Sequence, residues 1–200
     1  MAAGIVRRLR DWLSATPESL SAAPRILFID DQTVGNIEVL PARAAGWCAE
    51  QMAKIAAFAA AHEAPGGAGW TDVYVRPSAP ASVKDLGIWF DEAAEVLAGR
   101  LPEIGQIITG SLTTPQVIHR ARAFGPSGLT AAVLYRGPDD SRRLQTIELS
   151  LRGPAAEVVA VLTGLAVVPS PEPLIVVDWG RQRLLHLSQS AEIDAFAAYS

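Results

Sequence analysis

The last third of the chain alternates apolar and polar residues in a way that predicts β-hairpins. Two runs, LTAAVLYR and RRLQTIELSLR, flank the turn sequence GPDDS, and Ile147, Leu149 and Leu151 alternate with polar neighbours. This period of two is typical of antiparallel strands with one covered face. A helical repeat of apolar residues follows, and the same order returns once more before the last residues. The pattern therefore predicts strand–strand–helix units over residues 129–166 and 173–199.

Elsewhere, short apolar runs predict single strands, and apolar positions three to four residues apart predict amphipathic helices. Thr114 followed by Pro115 has the form of a capped helix start. Strands over residues 25–40, with the helix after them, have the layout of a third strand–strand–helix unit. The expected elements are strands over RILFI, IEVL, WTDVYVR and GQIITGS and helices over residues 41–62, 85–98 and 115–124. These elements predict an α+β fold with a mixed, largely antiparallel sheet flanked by about six helices.

Two hundred residues, half of them apolar, are enough for one globular domain over residues 1–200 with a substantial core. An amphipathic helix over residues 1–20, apolar at Ile5, Leu9 and Trp12, is predicted to pack on this domain. Charged residues interrupt the stretch in which an export signal needs its apolar segment. No apolar run approaches the roughly 20 residues of a membrane span. We therefore expect a cytoplasmic protein with no membrane partner.

The charge and the cysteine content narrow the classes of partner and cofactor. A net charge of -4 disfavours nucleic acid, which attracts basic surfaces. A nucleic-acid binder would need its arginines on one face: Arg120, Arg122, Arg142 and Arg143. A single cysteine, Cys48, excludes an internal disulfide framework and a zinc site made of thiolates. Because Cys48 shares an apolar stripe with Met52 and Ile55, it is predicted to be a core thiol.

The stretch ILFIDDQTVGN, residues 26–36, places Asp30 and Asp31 at the end of an apolar run. It resembles the first strand of response-regulator receiver domains, whose acidic pair binds magnesium. The resemblance implies a phospho-accepting Asp after the third strand and a Lys after the fifth. Here Asp72 precedes its predicted strand and no Lys follows Lys84, so receiver chemistry is not predicted. An acidic magnesium site remains an alternative if the strands ending at Asp31 and Asp178 are neighbours.

Other catalytic arrangements lack their sequence motifs. Ser111, His119, His186 and Asp178 contain the residue types of a hydrolytic triad, but TGSLT is not the G-x-S-x-G nucleophile turn. The glycine-rich stretches PGGAG and GPSG match neither phosphate-binding motif and read as turns. The three histidines lack metal-ligand spacing. The sequence therefore predicts no cofactor and no metal.

The remaining features favour recognition of another protein. Trp179 and Arg181 flank a glycine in a predicted tight turn, where Trp179 is expected to be an exposed anchor, since Trp and Arg are frequent at interface hot spots. Trp47 and Trp89 lie on apolar helical stripes and are expected in the core. The helix over residues 85–98 carries an acidic face without a cation placed to neutralise it: Asp91, Glu92 and Glu95. The hairpin containing VVDW and the helix after it are similar in layout to bacterial toxin-neutralising immunity proteins.

Two functions follow from these observations. The first is a non-enzymatic protein-binding module of bacterial type, immunity-like, antitoxin-like or regulatory. The alternative is an enzyme with an acidic site at the strand ends that can use magnesium. The candidate binding residues are Asp30, Asp31, Asp178, Trp179 and Arg181.

Overall fold

The computed structural model describes residues 25–29, 36–64, 66, 69–111, 114–137 and 142–198. Over these residues the chain forms four α-helices and ten β-strands, with short 3-10 helices at 42–44 and 83–86. The helices are α1 (Ala45–Ala61), α2 (Phe90–Ala98), α3 (Ala155–Ala166) and α4 (Ser190–Ala197). The predicted helix over residues 1–20 and the aspartates Asp30 and Asp31 lie outside the described residues. No helix in the described ranges is long and apolar enough to cross a membrane.

The strands form two sheets. The smaller sheet contains β1 (Ile26–Ile29), β4 (Gln106–Ser111) and β5 (Thr114–Val117), with β1 and β4 parallel. The larger has the order β10-β9-β2-β8-β7-β6-β3, and all of its pairs are antiparallel. Its strands are β2 (Ile37–Pro41), β3 (Glu103–Ile104), β6 (Ala121–Phe124), β7 (Thr130–Arg136), β8 (Leu144–Leu151), β9 (Leu174–Asp178) and β10 (Arg183–His186).

The larger sheet is covered on both faces. On one face, Ile147 and Leu151 of β8 join the main core with apolar side chains of α2, α3 and α4. On the other face, the smaller sheet packs through Leu27 against Val133, and α1 packs through Cys48 against β9. The predicted α+β fold is confirmed, and so are the two strand–strand–helix units near the end of the chain.

The predicted number of helices is wrong, since the described residues contain four rather than about six. The expected helix over residues 115–124 is replaced by β5 and β6. Pro115 lies in β5, the last strand of the smaller sheet, where its missing N–H costs no central ladder bond. Ala121 and Phe124 are strand partners of residues in β7, so residues 121–124 form a strand rather than the end of a helix. Pairing with distant strands has overridden a local pattern of only three apolar positions.

Two further predictions fail in the first half of the chain. Strands β1 and β2 belong to different sheets, so the chain before α1 is not a strand–strand–helix unit. The stretch WTDVYVR, residues 70–76, is not a strand: it bends at Thr71 and Asp72 and forms an isolated bridge between Trp70 and Glu63. Its alternating pattern is present, but no neighbouring strand in the described part of the chain pairs with it.

Candidate functional site

Strands β2 and β8 meet at the centre of the larger sheet through a single residue pair. Glu38 lies directly opposite Glu148, and neither strand forms a second paired position with the other. We call this junction the seam. By contrast, β2 pairs with β9 at five positions. Because side chains directly opposite each other lie close, the seam places two carboxylates side by side on one face of the sheet.

Two cavities share the seam. The first, the Asp178 cavity, has a volume of about 530 Å³. Its lining includes Ile29, Ile37, Glu148, Leu149, Arg152 and Asp178. The second, the Arg76 groove, has a volume of about 670 Å³. Its lining includes Glu38, Arg76, Pro80, Lys84, Thr146 and Glu148. Both volumes lie in the range of small-ligand or side-chain pockets.

Arg76 neutralises one of the two facing carboxylates. Its Nη2 lies 2.5 Å from Glu38 Oε1, and both side chains are mostly buried, at 22% and 27% exposure. The same guanidinium lies over the ring of Trp179, 4.0 Å from its centroid. The cation–π contact and the ion pair together hold Arg76 against the sheet.

Glu148 has a neutral partner instead. The Tyr135 hydroxyl donates a hydrogen bond to Glu148 Oε2 at 2.5 Å. Burial, followed by the hydrogen bond to Glu148 and its charge, raises the pKa of Tyr135 well above its usual range, so the phenol keeps its proton. No Lys, Arg or His side chain among the described residues forms an ion pair with Glu148. The seam therefore retains one carboxylate without a cation.

Asp178 is a strand-to-turn residue. Its carboxylate accepts a hydrogen bond from the Arg181 amide at 2.9 Å and forms an ion pair with the Arg181 guanidinium at 3.3 Å. Its strand pairs with β2 and not with β1. Asp178 nevertheless lines the same cavity as Ile29, the residue that precedes Asp30 in the chain. Since Asp30 and Asp31 lie outside the described residues, their approach to Asp178 stays a prediction.

The environments of two tryptophans are the reverse of those expected. Trp179 was expected to be exposed, but it is 8% exposed and packs edge-on against Trp47, with ring centroids 5.9 Å apart. Its role in binding stays a prediction, while Arg181 beside it is half-exposed. Trp89, expected in the core, is 47% exposed beneath the guanidinium of Arg143. Each indole ring has an arginine over it, Arg76 on Trp179 and Arg143 on Trp89, and a hydrophobic pattern does not indicate such contacts.

The charged surfaces also differ from expectation in part. The acidic face of α2 does have a cation, since Arg136 Nη2 lies 2.7 Å from Asp91 Oδ1. Of the arginines considered for nucleic acid, Arg122 binds both carboxylate oxygens of Glu103, at 2.7 and 2.8 Å. His186 faces Glu192 of α4 at 3.3 Å, and the side chain of Ser111 lies outside the described residues. These pairings account for the charges locally.

Comparison with known proteins gives no relative from which a role can be transferred. No protein-family model, curated protein or solved structure matches this chain. The function must therefore be argued from the geometry of the molecule itself.

A surface that the sequence pattern did not reveal lies over residues 70–76, which we call the open segment. Three apolar side chains point outward: Trp70 is 68% exposed, Val73 79% and Val75 83%. Tyr74 and Arg76, which alternate with Val73 and Val75 along the chain, are directed inward. The Tyr74 hydroxyl donates to Gln51 Oε1 at 3.0 Å. The main-chain groups of Tyr74 and Val75 form no hydrogen bond with any residue that the structure describes.

Cys48 is buried and does not have the environment of a reactive thiol. Burial of Cys48 in the core beneath α1 raises the pKa of its thiol to about 11, which keeps it protonated and confirms the predicted core thiol. Within the described residues there is no group of three His, Cys, Asp or Glu side chains that could hold a metal ion. The seam and the open segment, linked by Arg76, are the features that carry a functional argument.

Proposed function

We propose that this protein is a non-enzymatic protein-binding module, immunity-like, antitoxin-like or regulatory, that receives an extended segment of its partner along the open segment. The observation that carries the proposal is the combination of exposed Trp70, Val73 and Val75 with main-chain groups at Tyr74 and Val75 that form no hydrogen bond with the residues the structure describes. An extended chain with free N–H and C=O groups is a template for strand addition. The outward apolar side chains supply the area that such an interface buries.

Contacts of the inward side chains hold the open segment in place before a partner binds. Tyr74 is held by Gln51 and lies against Phe58, with ring centroids 5.5 Å apart. Arg76 is held by Glu38 and by Trp179. A segment whose side chains are already held in place loses less conformational freedom when a partner pairs with it, so more of the contact energy contributes to affinity.

Replacing Val73 and Val75 together with serine is expected to abolish partner binding without unfolding the protein. Both side chains are largely exposed, so the free energy of unfolding should change by no more than about 0.5 kcal/mol for each substitution. Tagged wild-type protein, purified from its native cells, should bring down one stoichiometric protein, and the Val73→Ser/Val75→Ser variant should lose it.

Val167→Ser is the matched control, because Val167 is an exposed valine in the turn after α3. It should retain the partner at the wild-type ratio. Retention of the same partner by the Val73→Ser/Val75→Ser variant would place the interface elsewhere and refute the proposal.

The protein-binding proposal and the acidic-site alternative differ in what they predict for Asp178 and magnesium. If the protein is a binding module, magnesium should leave the Tm unchanged, because Arg181 already forms an ion pair with this carboxylate. Asp178→Ala should lower the free energy of unfolding by about 2 kcal/mol through loss of the acceptor for the Arg181 amide. Asp178→Asn, which keeps an acceptor oxygen, should cost less. A magnesium-dependent rise in Tm that disappears in Asp178→Asn would favour the enzyme.

A further inference from the structure

We propose that the partner segment carries one basic side chain, which enters the Arg76 groove and binds Glu148. The inference rests on the proposed function, because it names the chemistry of the segment that pairs with residues 70–76. It also assigns a role to the carboxylate of the seam that has no cation.

The groove is placed to receive such a side chain. Its lining runs from Arg76, where the open segment ends, through residues 77–80 to residues of β2 and β8 on either side of the seam. A strand added beside the open segment alternates its side chains as that segment does, so every second side chain is directed inward. The groove has a volume of about 670 Å³, which accommodates a lysine or arginine side chain.

The charges of the side chains that line the groove favour a cationic side chain from the partner. Three acidic and two basic side chains line it: Glu38, Asp85, Glu148, Arg76 and Lys84. Arg76 is engaged with Glu38. Asp85 accepts hydrogen bonds from the main chain and hydroxyl of Ser82, at 2.8 and 2.9 Å, which hold the pKa of its carboxyl below the usual range. Lys84 adds an attractive charge beside Asp85. The groove is left with one negative charge, at Glu148.

Other occupants are less compatible with this groove. An apolar side chain would remove water from Glu148 while leaving its carboxylate with only the Tyr135 hydroxyl, and desolvating an uncompensated charge is costly. An acidic side chain would add a further negative charge beside two facing glutamates. A lysine or arginine instead gives Glu148 a cationic partner, as Arg76 already does for Glu38.

A selection from displayed random linear 12-residue peptides tests the inference without knowledge of the natural partner. The full-length protein, Glu148→Gln and the control Glu95→Gln would each be used as bait. Glutamine can still accept from the Tyr135 hydroxyl, and Glu95 is an exposed residue of α2, on the opposite face of the larger sheet. Circular dichroism and thermal unfolding should show that all three proteins are folded.

The expected result is enrichment of Lys or Arg at one position of the peptides selected by the wild type and by Glu95→Gln. This preference should be absent with Glu148→Gln. A synthetic enriched peptide should bind Glu148→Gln about tenfold more weakly than wild type. The same peptide with norleucine at the basic position should bind both proteins equally.

Failures of the two proposals are distinguishable. Peptides that depend on Val73 and Val75 but show no basic preference would overturn the role of Glu148 and leave the open segment as the interface. Peptides that bind the Val73→Ser/Val75→Ser variant as well as wild type, or no enrichment at all, would overturn both.

Discussion

Arg76→Ala is expected to lower the free energy of unfolding by about 2–3 kcal/mol. The substitution breaks a mostly buried ion pair and removes a cation from the face of Trp179. It also leaves Glu38 and Glu148 opposite each other, with the Tyr135 hydroxyl as the nearest compensation. Urea denaturation followed by circular dichroism gives the free energy directly.

The matched control is Arg122→Ala, which removes an arginine from an exposed ion pair with Glu103. Exposed pairs contribute about 0–1 kcal/mol, so this substitution should be mild.

The decisive comparison adds Glu148→Gln. Alone, Glu148→Gln should change stability by less than about 0.5 kcal/mol, and in the Arg76→Ala background it should restore about 1 kcal/mol by removing the repulsion. Strict additivity of the two substitutions would show that the facing carboxylates do not interact.

Gly125→Ala should lower the free energy of unfolding by about 3 kcal/mol, at least as much as Arg76→Ala does. A Cβ at this position would lie 2.1 Å from the carbonyl oxygen of Thr130 and 2.7 Å from Ala131 Cα. Both atoms belong to the main chain of β7, so neither can rotate away, and the turn between β6 and β7 must shift. The displaced strand, β7, carries Tyr135, so the substitution should also disturb the environment of Glu148.

Gly46→Ala is a control that should raise the free energy of unfolding instead of lowering it. Gly46 lies in α1, and no atom approaches within 4 Å of the position of an added Cβ. Alanine should therefore stabilise the protein by about 0.5–1 kcal/mol, since glycine is the less favourable residue in a helix. Equal effects of the two glycine substitutions would contradict the close contact at Gly125.

The sequence predicts well those parts of the fold that depend on neighbours along the chain. The hairpin of β7 and β8 pairs residues on either side of one turn, so alternation of Ile147, Leu149 and Leu151 is sufficient to identify it. The helix α3 likewise follows from its own apolar repeat. Strands β5 and β6 were missed because their identity depends on β3, β4 and β7, which local spacing does not encode.

The candidate site was harder to predict, for the same reason. Asp178 and its partner Arg181 are three residues apart, so this contact lies within the tight turn that the sequence predicts. The partnership of Glu38 with Arg76 and the facing position of Glu148 join three separate segments. The alternation in WTDVYVR was visible, but the lack of a neighbouring strand is a property of the whole sheet. A sequence pattern identifies a chain that can pair, and only the fold shows whether it does.

The seam has a consequence for the order in which the protein folds. Strands β3, β6, β7 and β8 come from one continuous stretch of the chain, whereas β2 pairs with β9, which follows all of them. During translation the first group can assemble through short loops, while β2 waits for its partner because loop closure across the intervening chain is slow. Until β9 emerges, Glu38–Glu148 is the one position at which β2 is paired with another described strand, so a ribosome that stalls before residue 174 leaves an unpaired edge exposed to aggregation.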